Sequence, residues 1–330
     1  MENKTFKILT IDGGGIKGLY SSKIIEQLED QFNCHIADYF DMICGTSTGG
    51  ILALGLSLKF KASDISKLYE DKGLFIFPKQ NKIKAYYKQL LGGGKYSDKN
   101  LKEALEDTFG NKKIEDCQNL LCIPSYSYTD ARPWVFKKDH KEGDLCRDNK
   151  AFCVDVALAT AAAPTYFPLA EIDYYDSKQF VDGGIWANNP SMVGFLEALR
   201  FFVGEGKEYD NLKILSISSL TAPKGKVVGL NRFRSFRHWK GDLIDIMMNG
   251  QAFFTDKFME WIHQINNTPV TYVRIPTTDL APEQQDVIQM DNATIDAIKL
   301  LKGKGNDTGE IWRKKQDIAQ FFEKEKTYKF

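Results

Sequence analysis

The sequence predicts a layered α/β fold, on two observations. The first sixty residues alternate strand, helix, strand and helix, and both strand-to-helix junctions are rich in glycine. Phe6-Lys7-Ile8-Leu9-Thr10-Ile11 has a strand pattern that ends at Asp12 and a glycine cluster. A helix is expected from about Leu19, with Leu19, Ile24, Ile25 and Leu28 on one face. Tyr39-Phe40-Asp41-Met42-Ile43-Cys44 reads as the second strand, Gly45 to Gly50 as the turn after it, and Ile51 to Leu56 as a buried helix.

The chain changes character between Lys59 and Lys95. Phe75-Ile76-Phe77-Pro78 is followed by Lys79, Lys82, Lys84, Lys88 and Lys95, with Tyr86-Tyr87 between them and a Gly92-Gly93-Gly94 loop. This stretch reads as an insertion rather than a core element. Further strands are expected at Leu120 to Pro124, Trp134 to Phe136, Phe180-Val181 and Leu212 to Ile217. Val154 to Ala163 is an alanine-rich helix stopped by Pro164, and Asn189-Pro190 opens another, with Asn as cap and Pro just inside. Beyond Ser218 the pattern is more helical and polar, and no low-complexity linker forces a second domain.

Composition narrows the class. A chain of 330 residues, 43% hydrophobic and 27% charged, can bury a sizeable core without staples. Lys+Arg 44 against Asp+Glu 44 leaves no global field toward nucleic acid or membrane, so neither DNA nor RNA is expected as a partner. Cys34, Cys44, Cys117, Cys122, Cys146 and Cys153 form no C-x-x-C pair, which favours reduced thiols and excludes a zinc framework. The N-terminus shows no apolar signal core, and no run approaches the roughly 20 apolar residues of a membrane span. A cytosolic protein is expected, one that could still touch a membrane surface.

Three short segments carry chemistry. Gly45-Thr46-Ser47-Thr48-Gly49 fits G-x-S-x-G where a strand gives way to a helix, a turn that lifts a serine hydroxyl above the sheet. Its bland reading is a glycine-rich turn in which Ser47 or Thr48 caps the helix. Gly13, Gly15 and Gly18 satisfy the dinucleotide pattern G-x-G-x-x-G, but the next strand runs into the serine turn instead of an acidic residue. The balance therefore moves to an oxyanion hole, in which backbone N–H groups face the charge of an acyl-transfer transition state. Asp182-Gly183-Gly184 puts an aspartate at a strand end, where turn chemistry alone would also explain it. None of the four histidines, His35, His140, His238 and His263, has a motif-like setting; His238 is the competitor to a base supplied by Asp182.

In this order the three signals, with Ala159-Thr160-Ala161-Ala162-Ala163-Pro164-Thr165-Tyr166-Phe167 and Asn188-Asn189-Pro190, resemble the patatin-like phospholipase family, over most of residues 6–200. The resemblance implies a patatin-like three-layer fold with a central, mostly parallel sheet flanked by helices. It implies a single domain over 1–330, with a catalytic core at about 6–220 and a helical part at 221–330 serving as a lid or regulatory region. The implied activity is calcium-independent acyl-ester hydrolysis of membrane phospholipids, of phospholipase A type, with no cofactor or metal. Carried over, Ser47 is the nucleophile, Asp182 the base, and Gly13, Gly14 and Gly15 the oxyanion donors. Two positions depart from the family pattern. Lys17 stands where the family usually has Arg, so an anion contact there lacks a bidentate fork. Ser218-Ser219-Leu220 stands where many relatives have a Gly-Thr-Gly turn.

The chain is also similar to phospholipase effectors of bacterial anti-phage systems. This similarity rests on Ile11 to Leu28 and the absence of secretion features, not on a nucleotide motif. It makes a cyclic-oligonucleotide activator an expectation, with transient contact at the inner face of the membrane; homo-oligomerisation stays open. Leu74 to Lys88 and Arg232-Phe233-Arg234-Ser235-Phe236-Arg237-His238-Trp239-Lys240 mix cations with aromatics. Each could meet anionic lipid, and the second a nucleotide phosphate. For each, a solvated helix face with buried aromatics is the favoured reading. A catalytically silent interaction protein and a dinucleotide-binding oxidoreductase remain the rival classes.

Overall fold

Strand β1 (Thr5–Ile11) is buried from Phe6 onward, Lys7 and Thr10 included, the condition of a strand covered on both faces. The computed structural model describes residues 4–80, 94–221, 225, 228–266 and 269–330. β1 pairs in parallel with β2 (Met42–Gly45) on one side and β7 (Asn211–Ile217) on the other; β7 pairs in parallel with β8 (Val270–Ile275), and β2 with β3 (Leu120–Ser127). Antiparallel strands complete the sheet: β4 (Arg132–Lys137) and β6 (Lys178–Asp182) on β3, and β5 (Ala170–Ile172) on β6.

Side-chain alternation along the strands builds two cores. Leu9, Ile11, Ile43, Leu121, Ile123, Leu215 and Ile217 face one cluster, which holds the apolar sides of helices Gly18–Phe32, Thr48–Ser57, Ala62–Ile76 and Cys153–Ala161. Phe6, Ile8, Met42, Cys44, Leu120, Cys122, Leu212 and Ile214 face the other, where Phe195, Ala198 and Phe202 meet Met259 and Ile262 of helix Phe236–Asn266. The result is a mostly parallel sheet between two helical layers, the architecture the resemblance implied.

Several elements differ from the sequence reading. Ile36–Tyr39 is a helical turn, so β2 starts only at Met42. The stretch after Lys59 is not an insertion throughout: Ala62–Ile76 is an amphipathic helix that buries Ile65, Leu68, Tyr69 and Ile76. Its apolar positions follow the helical period, a signal that the lysines and aromatics just beyond it obscured. The residues at 81–93, including Lys82, Lys84, Tyr86, Tyr87 and Lys88, lie outside the described residues. Strand β8 was not expected among the polar helices after Ser218, yet it extends the sheet beside β7. Helix Ile295–Trp312 lies along Gly18–Phe32, with the Tyr20 hydroxyl 3.2 Å from Thr308 Oγ1. All six cysteines are free, and no helix among the described residues is long and apolar enough to cross a membrane.

Candidate active site

The turn between β2 and helix Thr48–Ser57 holds Ser47 at φ 55, ψ −123. That conformation costs a non-glycine residue about 1–3 kcal/mol, so the surroundings must impose it. They do so by hydrogen bonds. The Ser47 N–H donates to Thr160 Oγ1 at 2.9 Å, Thr160 Oγ1 donates to the Pro124 carbonyl at 2.6 Å, and the Ser47 carbonyl accepts from Gly50 and Ile51. At Gly45 a Cβ would lie 1.9 Å from the Gly49 carbonyl oxygen, so the tight turn admits no side chain there.

Asp182 reaches this turn through a change of partner along β3. One edge of β3 pairs with β2 through Leu120 to Cys122, then with β6 through Ser125 to Ser127, where Ser125 stands opposite Asp182. The end of β6 is thereby brought beside the end of β2. The Ser47 hydroxyl donates to Asp182 Oδ2 at 2.6 Å, and the Gly184 N–H donates to Oδ1 at 2.7 Å. Both side chains are buried. Burial pushes the Asp182 carboxyl up to about 6, against the pull of its bonds from Ser47 and Gly184.

The glycine loop arrives from the end of β1. Asp12 is buried against Arg274 of β8, whose guanidinium reaches Asp12 Oδ1 at 3.3 Å and Oδ2 at 2.5 Å and Ser216 Oγ at 2.5 Å. Of the expected oxyanion donors, the Gly13 N–H is already spent on the Asn188 carbonyl at 3.0 Å. Among the described residues no hydrogen bond engages the N–H of Gly14 or Gly15. Gly15 has φ 61, and a Cβ there would meet the Met290 carbonyl oxygen, which accepts the Ile16 N–H at 2.9 Å. Asn188 Oδ1 and Ser219 Oγ, close to Gly13 and Gly14, are buried with no partner among the described residues. Polar groups in that state are costly and mark a place where a ligand or water supplies the missing bond.

One space opens at the serine and a second adjoins it. An apolar slot of about 40 Å³ is bounded by Ser47, Ile51, Leu68, Phe77, Ala161 and Phe167. A mixed cleft of about 600 Å³ is lined by Gly13, Lys17, Asn188, Arg234, Trp239, Asp242 and Asp245, together with apolar Ile246 and Met248. Tyr166 and Met290 line both. Burial lowers the Lys17 amine to about 8, partly offset by Asp245 and Asp12, so it still carries its charge at neutral pH in most molecules. His140 is buried elsewhere, against Glu197 and the rings of Phe201 and Phe202, and the side chains of His238 and His263 lie outside the described ones.

The family model described as patatin-like phospholipase matches residues 9–194, from β1 through both Ser47 and Asp182. The chain belongs to the patatin-like phospholipase family. A relative described as a cGAMP-activated phospholipase, from Pseudomonas aeruginosa, is 33% identical over 309 residues, 93% of this chain and 88% of that protein. Another of the same description, from Vibrio cholerae, is 28% identical over 96% of this chain and 94% of its own. Human GIVD cytosolic phospholipase A2 superposes with a TM-score of 0.43 at 12% identity, over 96% of this chain and 60% of that one. Family membership sets aside the oxidoreductase reading of the glycine loop.

Sequence reasoning about this patatin-like phospholipase missed Arg274, Asn188 and Thr160 as parts of the site. Arg274 sits 262 residues from Asp12, in a strand that was not foreseen, and no local pattern pairs them. Phe77 also changes role. Instead of pointing to lipid from the surface, it is half-buried, with its ring 5.4 Å from Tyr96 and 5.9 Å from Phe167 at the slot. Phe77→Ser is therefore expected to weaken cleavage of long-acyl esters at least about tenfold more than that of acetyl or butyryl esters. Equal loss on both, measured as kcat/KM, would place Phe77 outside the acyl path.

Proposed function

We propose that this phospholipase cleaves the carboxylic ester bonds of membrane phospholipids without calcium, through Ser47 and Asp182, and that a cyclic dinucleotide switches it on. The observation that carries the reading is the 2.6 Å contact between Ser47 Oγ and Asp182 Oδ2 at the floor of the apolar slot. With the acyl chain in the slot, Asp182 takes the serine proton as Oγ bonds to the ester carbonyl carbon. Carbonyl oxygen becomes an oxyanion facing the N–H groups of Gly14 and Gly15, worth roughly 2.7–4 kcal/mol per donor. Asp182 returns the proton to the departing lysophospholipid oxygen, then takes one from the water that attacks the acyl-enzyme and passes it to Ser47 Oγ as the fatty acid leaves.

A carboxyl raised to about 6 is a stronger base than a free aspartate and is still ionised at pH 7 in most molecules. Base and oxyanion donors are both supplied by the chain, so no step calls on calcium. Lys17, in the cleft, is placed for the phosphate of the headgroup. As a point charge it orients that group less strictly than a guanidinium would.

The switch is supported by size and by kinship. A slot of about 40 Å³ holds little more than one water, so an acyl chain enters only when its walls move. Residues after 221 contribute Met290 to the slot and much of the lining of the adjoining cleft, Arg234, Trp239 and Asp245 among them, which suits a lid or regulatory part on a catalytic core at about 6–220. Relatives described as cGAMP-activated cover nearly all of the chain. An enzyme of this kind would work from the cytoplasm on the inner face of the membrane.

Fatty-acid release from mixed phospholipid vesicles in EDTA tests the whole reading, with a panel of cyclic di- and trinucleotides. Release that appears with one cyclic dinucleotide and is absent in Ser47→Ala is expected. Equal release from both proteins removes Ser47, and a rate indifferent to every nucleotide removes the switch.

A further inference from the structure

Helix Phe236–Asn266 is apolar on two opposite sides. Met248, Thr255, Met259 and Ile262 recur at helical spacing and are buried against the fold. On the opposite side Trp239, Leu243, Ile246, Phe253, Phe254 and Trp261 form a second stripe, exposed to solvent, with Phe253 66% and Trp261 56% accessible. At 1.5 Å per residue this stripe runs roughly 30 Å, far more apolar surface than a soluble helix normally leaves uncovered.

Its position connects it to the site. Trp239 and Ile246 belong both to the stripe and to the wall of the cleft that contains Gly13 and Lys17. Just before the helix Phe233 is exposed. Residues 230–240 carry Arg232, Arg234, Arg237 and Lys240 and no acid. Arg234 is held by Asp242 at 3.2 Å, while Arg232 is exposed. Aromatic rings flanked by cations are the composition of a surface that sits at the boundary between anionic headgroups and acyl chains.

We propose that the outward face of helix Phe236–Asn266 docks on an anionic phospholipid bilayer and so sets the mouth of the cleft against its substrate. The proposal rests on the phospholipase reading for the choice of lipid as partner. Facing copies of this chain would pair the stripe with itself but would offer no anionic surface to the cations at 230–240; Lys257, within the stripe, is already paired with Glu260 at 2.6 Å. A bilayer satisfies the apolar and basic parts at once.

The test is flotation of the full chain with vesicles of phosphatidylglycerol and phosphatidylethanolamine, or of phosphatidylcholine alone, with and without cGAMP. Phe253→Ser/Phe254→Ser is compared with wild type. Wild type is expected to float with the anionic vesicles, and the double variant to bind them at least about tenfold more weakly. Its melting temperature, its elution volume and its labelling at Ser47 by a soluble fluorophosphonate should match wild type. Wild type that floats with neither composition, or a double variant that floats as well as wild type, overturns the proposal. A double variant that shifts from an oligomer to a monomer overturns it in favour of a second copy. Wild type that floats through this face but is never labelled at Ser47 keeps the docking surface and removes the serine-hydrolase reading instead.

Discussion

Ser47→Ala and Asp182→Asn are each expected to lower activated fatty-acid release by at least about 10³-fold, with no further loss when combined, because the two groups act as one unit. Their stability effects should differ. The Asp182 carboxyl is buried with two partners, and burial raises it from the ordinary aspartate range to about 6, so the charged form is a cost to the fold. The sign follows from proton linkage. The folded protein holds the proton more tightly than the unfolded chain, so the cost is fully present above pH 6 and disappears as pH falls toward 4. Asp182→Asn removes it, and should stabilise the protein above pH 6 by on the order of 3 kcal/mol, fading to nothing near pH 4. Ser47→Ala instead relieves no charge and leaves a residue at positive φ. For wild type, kcat/KM should fall as pH drops through about 6, where the base becomes protonated. An Asp182→Asn protein that melts below wild type at pH 8, or one that retains full activity, contradicts this account.

Arg274→Met is expected to be the most destabilising single change near the site. It leaves Asp12 buried without its guanidinium and removes one donor from Ser216 Oγ, which keeps its 3.2 Å bond from Ser191, a loss of about 3–5 kcal/mol for a broken buried pair. For a chain of 330 residues the melting temperature should fall by roughly 4–7 °C. The glycine loop follows Asp12 directly, so activity should fall even at temperatures where the variant is folded. Asp12→Asn combined with Arg274→Met removes both charges of the pair and leaves Asp256, 3.4 Å from the guanidinium, with its bond from Tyr272, so most of the stability should be recovered. Thermal melts of the four proteins make a double-mutant cycle. A pair of single variants whose losses simply add would show that the two side chains do not act together.

Much of the site was legible in the chain because its parts are made of local chemistry. A serine between small residues at a strand-to-helix junction, three glycines after a strand, and an aspartate closing another strand each declare a backbone geometry within a few residues. Asn189 and Pro190 do mark a helix start, but one residue later than expected: the helix is Ser191–Phe201 with Pro190, not Asn189, at the cap position, and Asn189 Oδ1 accepts the Ser191 N–H at 3.0 Å just ahead of it. The short, nearly continuous apolar runs of β1, β3 and β7 were enough to expect buried strands, since strands covered on both faces carry apolar residues at successive positions.

What the sequence by itself determined, then, was the α/β class and the identity of the three turns that meet at the site. Only the tertiary structure decided how they meet. The split pairing of β3 sets Asp182 against Ser47, Asn188 takes the N–H of Gly13 out of the donor set, and Arg274 arrives from a strand hidden among polar helices. Turns and caps are fixed by forces that act within a few residues. Hydrogen bonds and ion pairs between segments hundreds of residues apart depend on strand order and register, which no short stretch of chain records.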